Sequence, residues 1–529
     1  MKNIKTYVLA LLAFAVVISA CDEDKDLLDQ RLADNPLPDP TTGDSGTIDL
    51  STFISVGNSL TAGYMDGALY TNAQDHSFAN LLGQQFQISG IGGGAFTQPD
   101  INSQNGFSSL GPNGPLGRFE LSLSLLRPVP TVGEVPTAYA GDKSALRNFA
   151  VPGMRLVDIA DASLAARNPL YARFASNPGT STVLGDATAV SPTFFSFWLG
   201  ANDVLGYATS GGVDESRITD AASFQASLQT SLGALVATGA KGVVLTLPPV
   251  VVAPFFRAVP YNAIPMTDQA TVDQLNGAFA GLNAALAGLA QFNLITTAEA
   301  TARSVSYSLG ANPILMHDDE LTDLGPMFDI LLGAGAISAA QRAALQPFVQ
   351  SRPATPNDLP TLSSATVLGT AVGGNPAAVI GVSVPAPDNL ILSASEVVRV
   401  VTARATYNAV IAGVVNGVNA QAGANTISIV DVQPIFADLF GLTAASATAL
   451  ALSPAAVAAA DGQLGIEIDG VTLAPDFGPN GVVSTDGIHP NPRGHAIIAN
   501  TIISSLNSVY GASIPSINVL NLRGVITTN

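Results

Sequence analysis

Cysteine is nearly absent: the chain of 529 residues holds one, Cys21. An intramolecular disulfide is therefore excluded, and the fold must rest on core packing. Charge is scarce as well, at 12% of residues, and it leans acidic, with a net charge of −19. That balance argues against a nucleic-acid partner, since little in it would neutralise phosphates. Beyond the first twenty residues no segment reads as a membrane-spanning helix. Histidine is limited to His76, His317, His489 and His495. Any reaction that needs an imidazole base must draw on these four.

What is present begins with the N-terminus. In "MKNIKTYVLALLAFAVVISAC", Lys2 and Lys5 precede an apolar run over residues 7 to 18, and Ser19 and Ala20 stand before Cys21. The pattern reads as a cleaved export signal. Its small-small-Cys end resembles a bacterial lipoprotein signal, which implies lipidation of Cys21 and a lipid anchor in the bacterial envelope, on the outer membrane. Residues 22–48, acidic and then rich in Pro, Gly, Asp and Thr, are expected to form a flexible tether.

The chain is 47% apolar, enough for a large core. "TIDLSTFISVG", "RNFAVPG", "PTFFSFWLGAND" and "KGVVLTLPP" are short apolar runs, each stopped by Gly or Pro, and they read as strands. Between the last two, "DAASFQASLQTSLGALVATGA" predicts an amphipathic helix starting at Asp220. Strands alternating with helices predict an α/β fold with a parallel sheet, whose reactive residues collect beyond the carboxyl ends of the strands. Residues 271–297 and 402–432 each read as helix then strand. Their likeness is assigned to shared Ala/Gly-rich composition, because no fixed period connects them. The second is assigned to the main sheet. Residues 49–510 are thus expected to form one domain, with 298–400 a mostly helical insertion acting as a lid, a substrate wall or a structural elaboration, and 511–529 a C-terminal extension. In "STDGIHPNPRGHAIIANTIISSLNSVYG", Asn491 and Pro492 start a helix, which leaves Asp486 and His489 in the loop before it.

A serine nucleophile needs a base, a carboxylate to orient that base, and donors for the oxyanion. Two serines compete. Ser45, in "GDSG", has the more literal Gly-Asp-Ser match, but no histidine precedes it and no strand stands behind it. Ser59, in "FISVGNSLTAGY", follows a strand. The Gly-x-Ser-x-Gly elbow of α/β-hydrolases is not found around Ser59, because Thr61 stands where its second glycine belongs.

"VGNSLTAGY", "NFAVPGMRLVDI", "WLGANDVL" and "TDGIHPNPRGH", in that order, resemble the blocks of the SGNH, or GDSL, hydrolase family. The resemblance spans about residues 50 to 250 and 400 to 510. It implies a three-layer α/β/α, flavodoxin-like fold and a carboxylic-ester hydrolase. By that resemblance Ser59 is the nucleophile, His489 the base and Asp486 its orienter. Ser59, Gly153 and Asn202 form the oxyanion hole, and Asp203 anchors the loop. A glycine lets backbone approach substrate closely, and a neutral amide donates without first neutralising the base. An aspartate three residues before a histidine can set the ring's tautomer. One departure stands out: Asn58 replaces the family's usual aspartate, keeping an acceptor oxygen with one charge fewer. The expected substrate is a small-molecule or lipid ester, with no cofactor and no metal. A non-catalytic surface lipoprotein that binds ligands with this fold, and an acyltransferase on the same site, are the alternatives. His76, His317 and His495 are assigned no chemistry, and "HDDELTD" (317–323) is read as a solvated acidic loop rather than a cation site.

Overall fold

The computed structural model describes residues 42–439 and 465–529. The export-signal and Cys21 readings, and most of the tether, lie outside the described residues.

Five parallel strands form the central sheet: β1 (Phe53–Gly57), β2 (Asn148–Ala150), β3 (Phe194–Trp198), β4 (Lys241–Leu245) and β5 (Ile427–Val430). Their spatial order is β5-β4-β3-β1-β2. Every residue of β1 and of β3 is buried, as expected of central strands covered on both faces. Their register pairs Phe53 with Phe194 and Gly57 with Trp198. The polar residue in each, Ser55 and Ser196, is satisfied by a shared hydrogen bond of 2.8 Å between hydroxyls.

After β1 come the short helix α1 (Ser59–Ala62) and the longer α2 (Phe78–Phe86); after β3 come α3 (Asn202–Thr209) and α4 (Ala221–Ala237). Asp220 caps α4 by accepting from Ser223 N at 2.9 Å, as its sequence predicts. The chain crosses from β1 to β2 in one direction along the sheet and from β3 to β4 in the other. That order is compatible with helices on both faces of the sheet. Helix α6 (Ala394–Ala422) joins α4, with the Phe224 and Tyr407 rings stacked 4.2 Å apart. The C-terminal helix α8 (Pro492–Tyr510) packs with α2 and β5, burying Ile498, Ile502, Ile503 and Leu506. Among the described residues no helix is long and apolar enough to cross a membrane.

Several expectations are corrected. Helix α5 (Gln269–Gln291) forms, but the strand expected after it does not: Leu294 and Ile295 lie in a turn that leads into the helix Thr297–Arg303. The inserted unit is larger than residues 298–400 toward the N-terminus and shorter at its end. Its separate core runs from Ile264 to Ile391 and includes Phe279, Leu282 and Leu286 of α5, whereas α6 belongs to the main core. Periodicity reveals that a helix has a buried face, not which core receives it. Nor is the insertion mostly helical throughout: its α-helices end at Ala344, and short antiparallel pairs and 3-10 turns follow. The tether is shorter than residues 22–48, because 42–48 dock on the end of α8. Thr47 N donates to Tyr510 O at 3.0 Å, and Ser513 N donates to Asp44 O at 2.9 Å.

Candidate active site

The carboxyl ends of β1, β2 and β3 are joined by backbone and amide hydrogen bonds. Gly57 ends β1; a Cβ there would stand 2.0 Å from Thr61 Oγ1, so the tight strand-to-helix turn excludes a side chain. Asn58 is buried and caps α1, its Oδ1 accepting from Leu60 N at 3.1 Å. Val151 N donates to Gly57 O at 3.0 Å, and Met154 N closes a turn onto Val151 O at 3.1 Å. Gly153, in that turn, has φ +79°; a Cβ would meet nothing nearer than Asn168 Nδ2 at 4.0 Å. The backbone conformation, rather than crowding, calls for glycine. Asn202 begins α3, and one hydrogen of its amide goes to Met154 O at 3.0 Å. Among the described residues no acceptor takes the Ser59 or Gly153 N–H.

Ser59 is 7% exposed, at the first position of α1. His489 Nε2 lies 2.9 Å from its Oγ, and His489 Nδ1 lies 2.9 Å from Asp486 Oδ2. With Nδ1–H donating to the carboxylate, Nε2 is left to accept the serine proton. Asp486 Oδ1 accepts from Ile488 N at 2.8 Å and from His489 N at 2.9 Å, and Oδ2 also accepts from Gly67 N at 2.9 Å. Burial pushes the Asp486 carboxyl upward, but the His489 ring and these donors outweigh it and bring its pKa down to about 2. It is ionised at neutral pH. The Tyr64 ring leans over His489, centroids 5.0 Å apart. Burial and the Asp486 charge push the Tyr64 hydroxyl above its ordinary pKa, so it stays neutral.

The cleft opens into a cavity of about 110 Å³, as the described residues bound it. Ser59, Asn202 and His489 line one part, with Asn58 beside them; the other side chains are apolar. Trp198 and Leu205 contribute from the ends of β3 and α3, Val250 and Ala253 from the loop after β4, and Ile497 and Ile498 from α8. Ile435, Phe436 and Leu439 contribute from α7 (Gln433–Leu439). Gly153 is not part of this lining. Nor is any residue of 298–400. The insertion reaches the site from behind, where Leu362 packs near Gly487 and Phe255 N donates to Gly487 O at 2.9 Å.

The other predicted residues fall elsewhere. Asp203 is fully buried and ties α3 to its surroundings, accepting from Leu156 N at 2.7 Å and Thr219 Oγ1 at 2.8 Å; burial raises its carboxyl to about 6. Ser45 lies beside the C-terminal end of α8, whereas His489 precedes its N-terminal end, and the helix between them spans about 28 Å at 1.5 Å per residue. His76 bonds Asn72 O, and His317 lies in a short strand pair of the insertion. His495 is fully buried, its Nδ1 accepting from Phe78 N at 3.2 Å, and burial drops its pKa to about 3.

The acidic stretch 317–323 is not a solvated loop throughout. Asp318 is buried and bonds Arg352 at 2.8 Å, and Glu320 pairs with Arg399. Asp319, Asp388 and Glu396 bring carboxylate oxygens within 4.8 Å of one another, close enough to share a cation. Burial, then neighbouring acids, raise Asp388 and Glu396 to about 7.

The sequence assigns no functional role to residues 64–70, to α7 or to residues 248–253. The Asp66-Gly67 pair is a recognised hairpin-turn signal, so the first of these was visible. The apolar walls carried no signal beyond hydrophobicity. No protein-family model matches the chain, and no curated protein matches it.

Proposed function

We propose that the protein is a serine ester hydrolase of SGNH type, with a flavodoxin-like sheet order, acting on esters with an apolar acyl group. The observation that carries this reading is the relay of two 2.9 Å hydrogen bonds through Ser59, His489 and Asp486 beside an apolar cavity. Ser59 Oγ attacks the ester carbonyl as His489 Nε2 takes its proton, and Asp486 stabilises the imidazolium. Negative charge gathers on the carbonyl oxygen, toward which Ser59 N–H, Gly153 N–H and the second Asn202 amide hydrogen are available as donors. The tetrahedral intermediate expels the alcohol, which takes the proton from His489. Water, deprotonated by His489, then releases the acid and restores Ser59.

Asn58, which motivates a non-catalytic reading, still caps α1 with its amide oxygen, and this supports the catalytic one. Wild-type protein is expected to hydrolyse p-nitrophenyl butyrate, and Ser59→Ala and His489→Ala to lose that activity. Equal rates in wild type and Ser59→Ala overturn the reading. The export signal and Cys21 extend the proposal to an enzyme lipid-anchored in the outer membrane. Incorporation of labelled palmitate that disappears in Cys21→Ser supports the anchor; equal labelling of the variant rejects it.

A further inference from the structure

Residues 65–68 lie outside the lining of the apolar cavity, yet they grip the loop that supplies the base. Met65 N donates to Ala68 O at 3.2 Å and Ala68 N to Met65 O at 3.1 Å. Between them Asp66 and Gly67 have φ of +55° and +73°. Two consecutive positive φ values define a type I′ turn, which favours Asp-Gly.

The turn meets the catalytic loop residue by residue. Asp66 N donates to Ser484 Oγ at 3.0 Å. Asp66 Oδ1 accepts from Thr485 N at 2.9 Å and from Thr485 Oγ1 at 2.8 Å. Gly67 N donates to Asp486 Oδ2, the oxygen that also accepts from His489 Nδ1. Asp66 is fully buried, and among the described residues no cationic side chain forms a salt bridge with it. Its Oδ2 accepts instead from the Tyr70 hydroxyl at 2.6 Å, and that hydroxyl accepts from Arg523 Nη2 at 2.8 Å. The Arg118 guanidinium lies 5.3 Å from the centre of the Tyr70 ring. A tyrosine thus relays positive charge to a buried carboxylate that would otherwise be costly.

From this geometry we infer that Asp66 is a positioning residue: it holds Thr485 so that Asp486, fixed by Gly67 N–H, keeps His489 aimed at Ser59. The inference rests on the reading of Ser59, His489 and Asp486 as a hydrolytic triad. A carboxylate that served the fold alone would, on removal, lower the folded fraction without altering the folded protein's turnover. One that positions the base alters turnover in the folded molecule, because small displacements of a catalytic group are costly to rate.

The test compares full-length wild type, Asp66→Ala and Asp66→Asn on p-nitrophenyl butyrate, with kcat, KM and melting temperature measured for each. The downfield imidazole proton between His489 and Asp486 is followed by NMR. Asp66→Ala is expected to lower kcat per folded molecule by about 10- to 100-fold with KM within about twofold, and to shift or broaden that proton. Asp66→Asn keeps an oxygen for Thr485 and tolerates the left-handed φ, so kcat recovers to within about threefold and the proton resonance returns. If Asp66→Ala does not fold, Thr485→Val, which keeps the Thr485 N–H bond to Asp66 and loses the hydroxyl's bonds to Asp66 Oδ1 and to Phe119 O, is expected to lower kcat by a smaller factor with KM unchanged. Unchanged kcat and proton resonance in a folded Asp66→Ala, or in Thr485→Val where that variant replaces it, overturns the inference. A wild-type protein inactive on esters overturns the hydrolase reading instead, while the proton resonance still reports whether Asp66 holds the loop.

Discussion

The apolar cavity makes a quantitative prediction about acyl-chain length. Each methylene moved from water into apolar surroundings contributes about 0.8 kcal/mol, or roughly fourfold in kcat/KM if it is buried in the transition state. From acetate to hexanoate there are four added methylenes, so full burial yields about 3 kcal/mol and an upper limit near 200-fold. The gain must level off once the cavity of about 110 Å³ is filled. Ala253 is only partly buried and lines this cavity, so Ala253→Phe projects a ring into it with little cost to the core. Kinetics on p-nitrophenyl acetate, butyrate, hexanoate and octanoate would read both effects. Wild type should climb with chain length and then flatten. Ala253→Phe should keep its acetate rate within about threefold and lose most of the climb. A wild-type series with no dependence on chain length, or an equal loss on all four esters in the variant, refutes the cavity as the acyl site.

In the proposed mechanism Asn202→Ala removes an oxyanion donor, and it should lower kcat about 100-fold with little change in KM, measured on the butyrate ester. Asn58→Ala should lose the α1 cap and about 1 kcal/mol of stability in denaturant unfolding, whereas Asn58→Asp keeps the acceptor and the stability. His495 resists protonation until about pH 3, while its unfolded counterpart takes a proton near 6.5. Its contribution to stability is therefore complete above pH 6.5 and is lost progressively as pH falls toward 3. Melting temperatures between pH 7 and 4 should fall less steeply in His495→Gln, which cannot take up that proton.

The parallel sheet was legible because its strands are continuous apolar runs closed by Gly or Pro, and the pairs Asp220 with Ser223 and Asn491 with Pro492 announced their helices locally. Ser59, Asp486 and His489, singled out by the resemblance of four sequence blocks, are brought within hydrogen-bond distance of one another by the structure. The limits of the insertion were not legible, because α5 has the same apolar spacing whether it faces the main core or the second one. The cavity walls were hidden for a related reason: Ile435 and Phe436 in α7 look like ordinary core residues until the tertiary fold places them on the cavity that Ser59 also lines. The turn at Asp66-Gly67 was visible, but its bond to Thr485 was hidden by a separation of 419 residues along the chain.

The central claim is that Ser59 is the nucleophile and His489 its base. A fluorophosphonate ester, which reacts with an activated serine, followed by peptide mapping of the adduct, tests it directly. The account predicts about one equivalent of adduct on Ser59, none in Ser59→Ala, and labelling slowed at least about 100-fold in His489→Ala. Adduct on another serine, or ester hydrolysis that survives with Ser59 replaced, would contradict it.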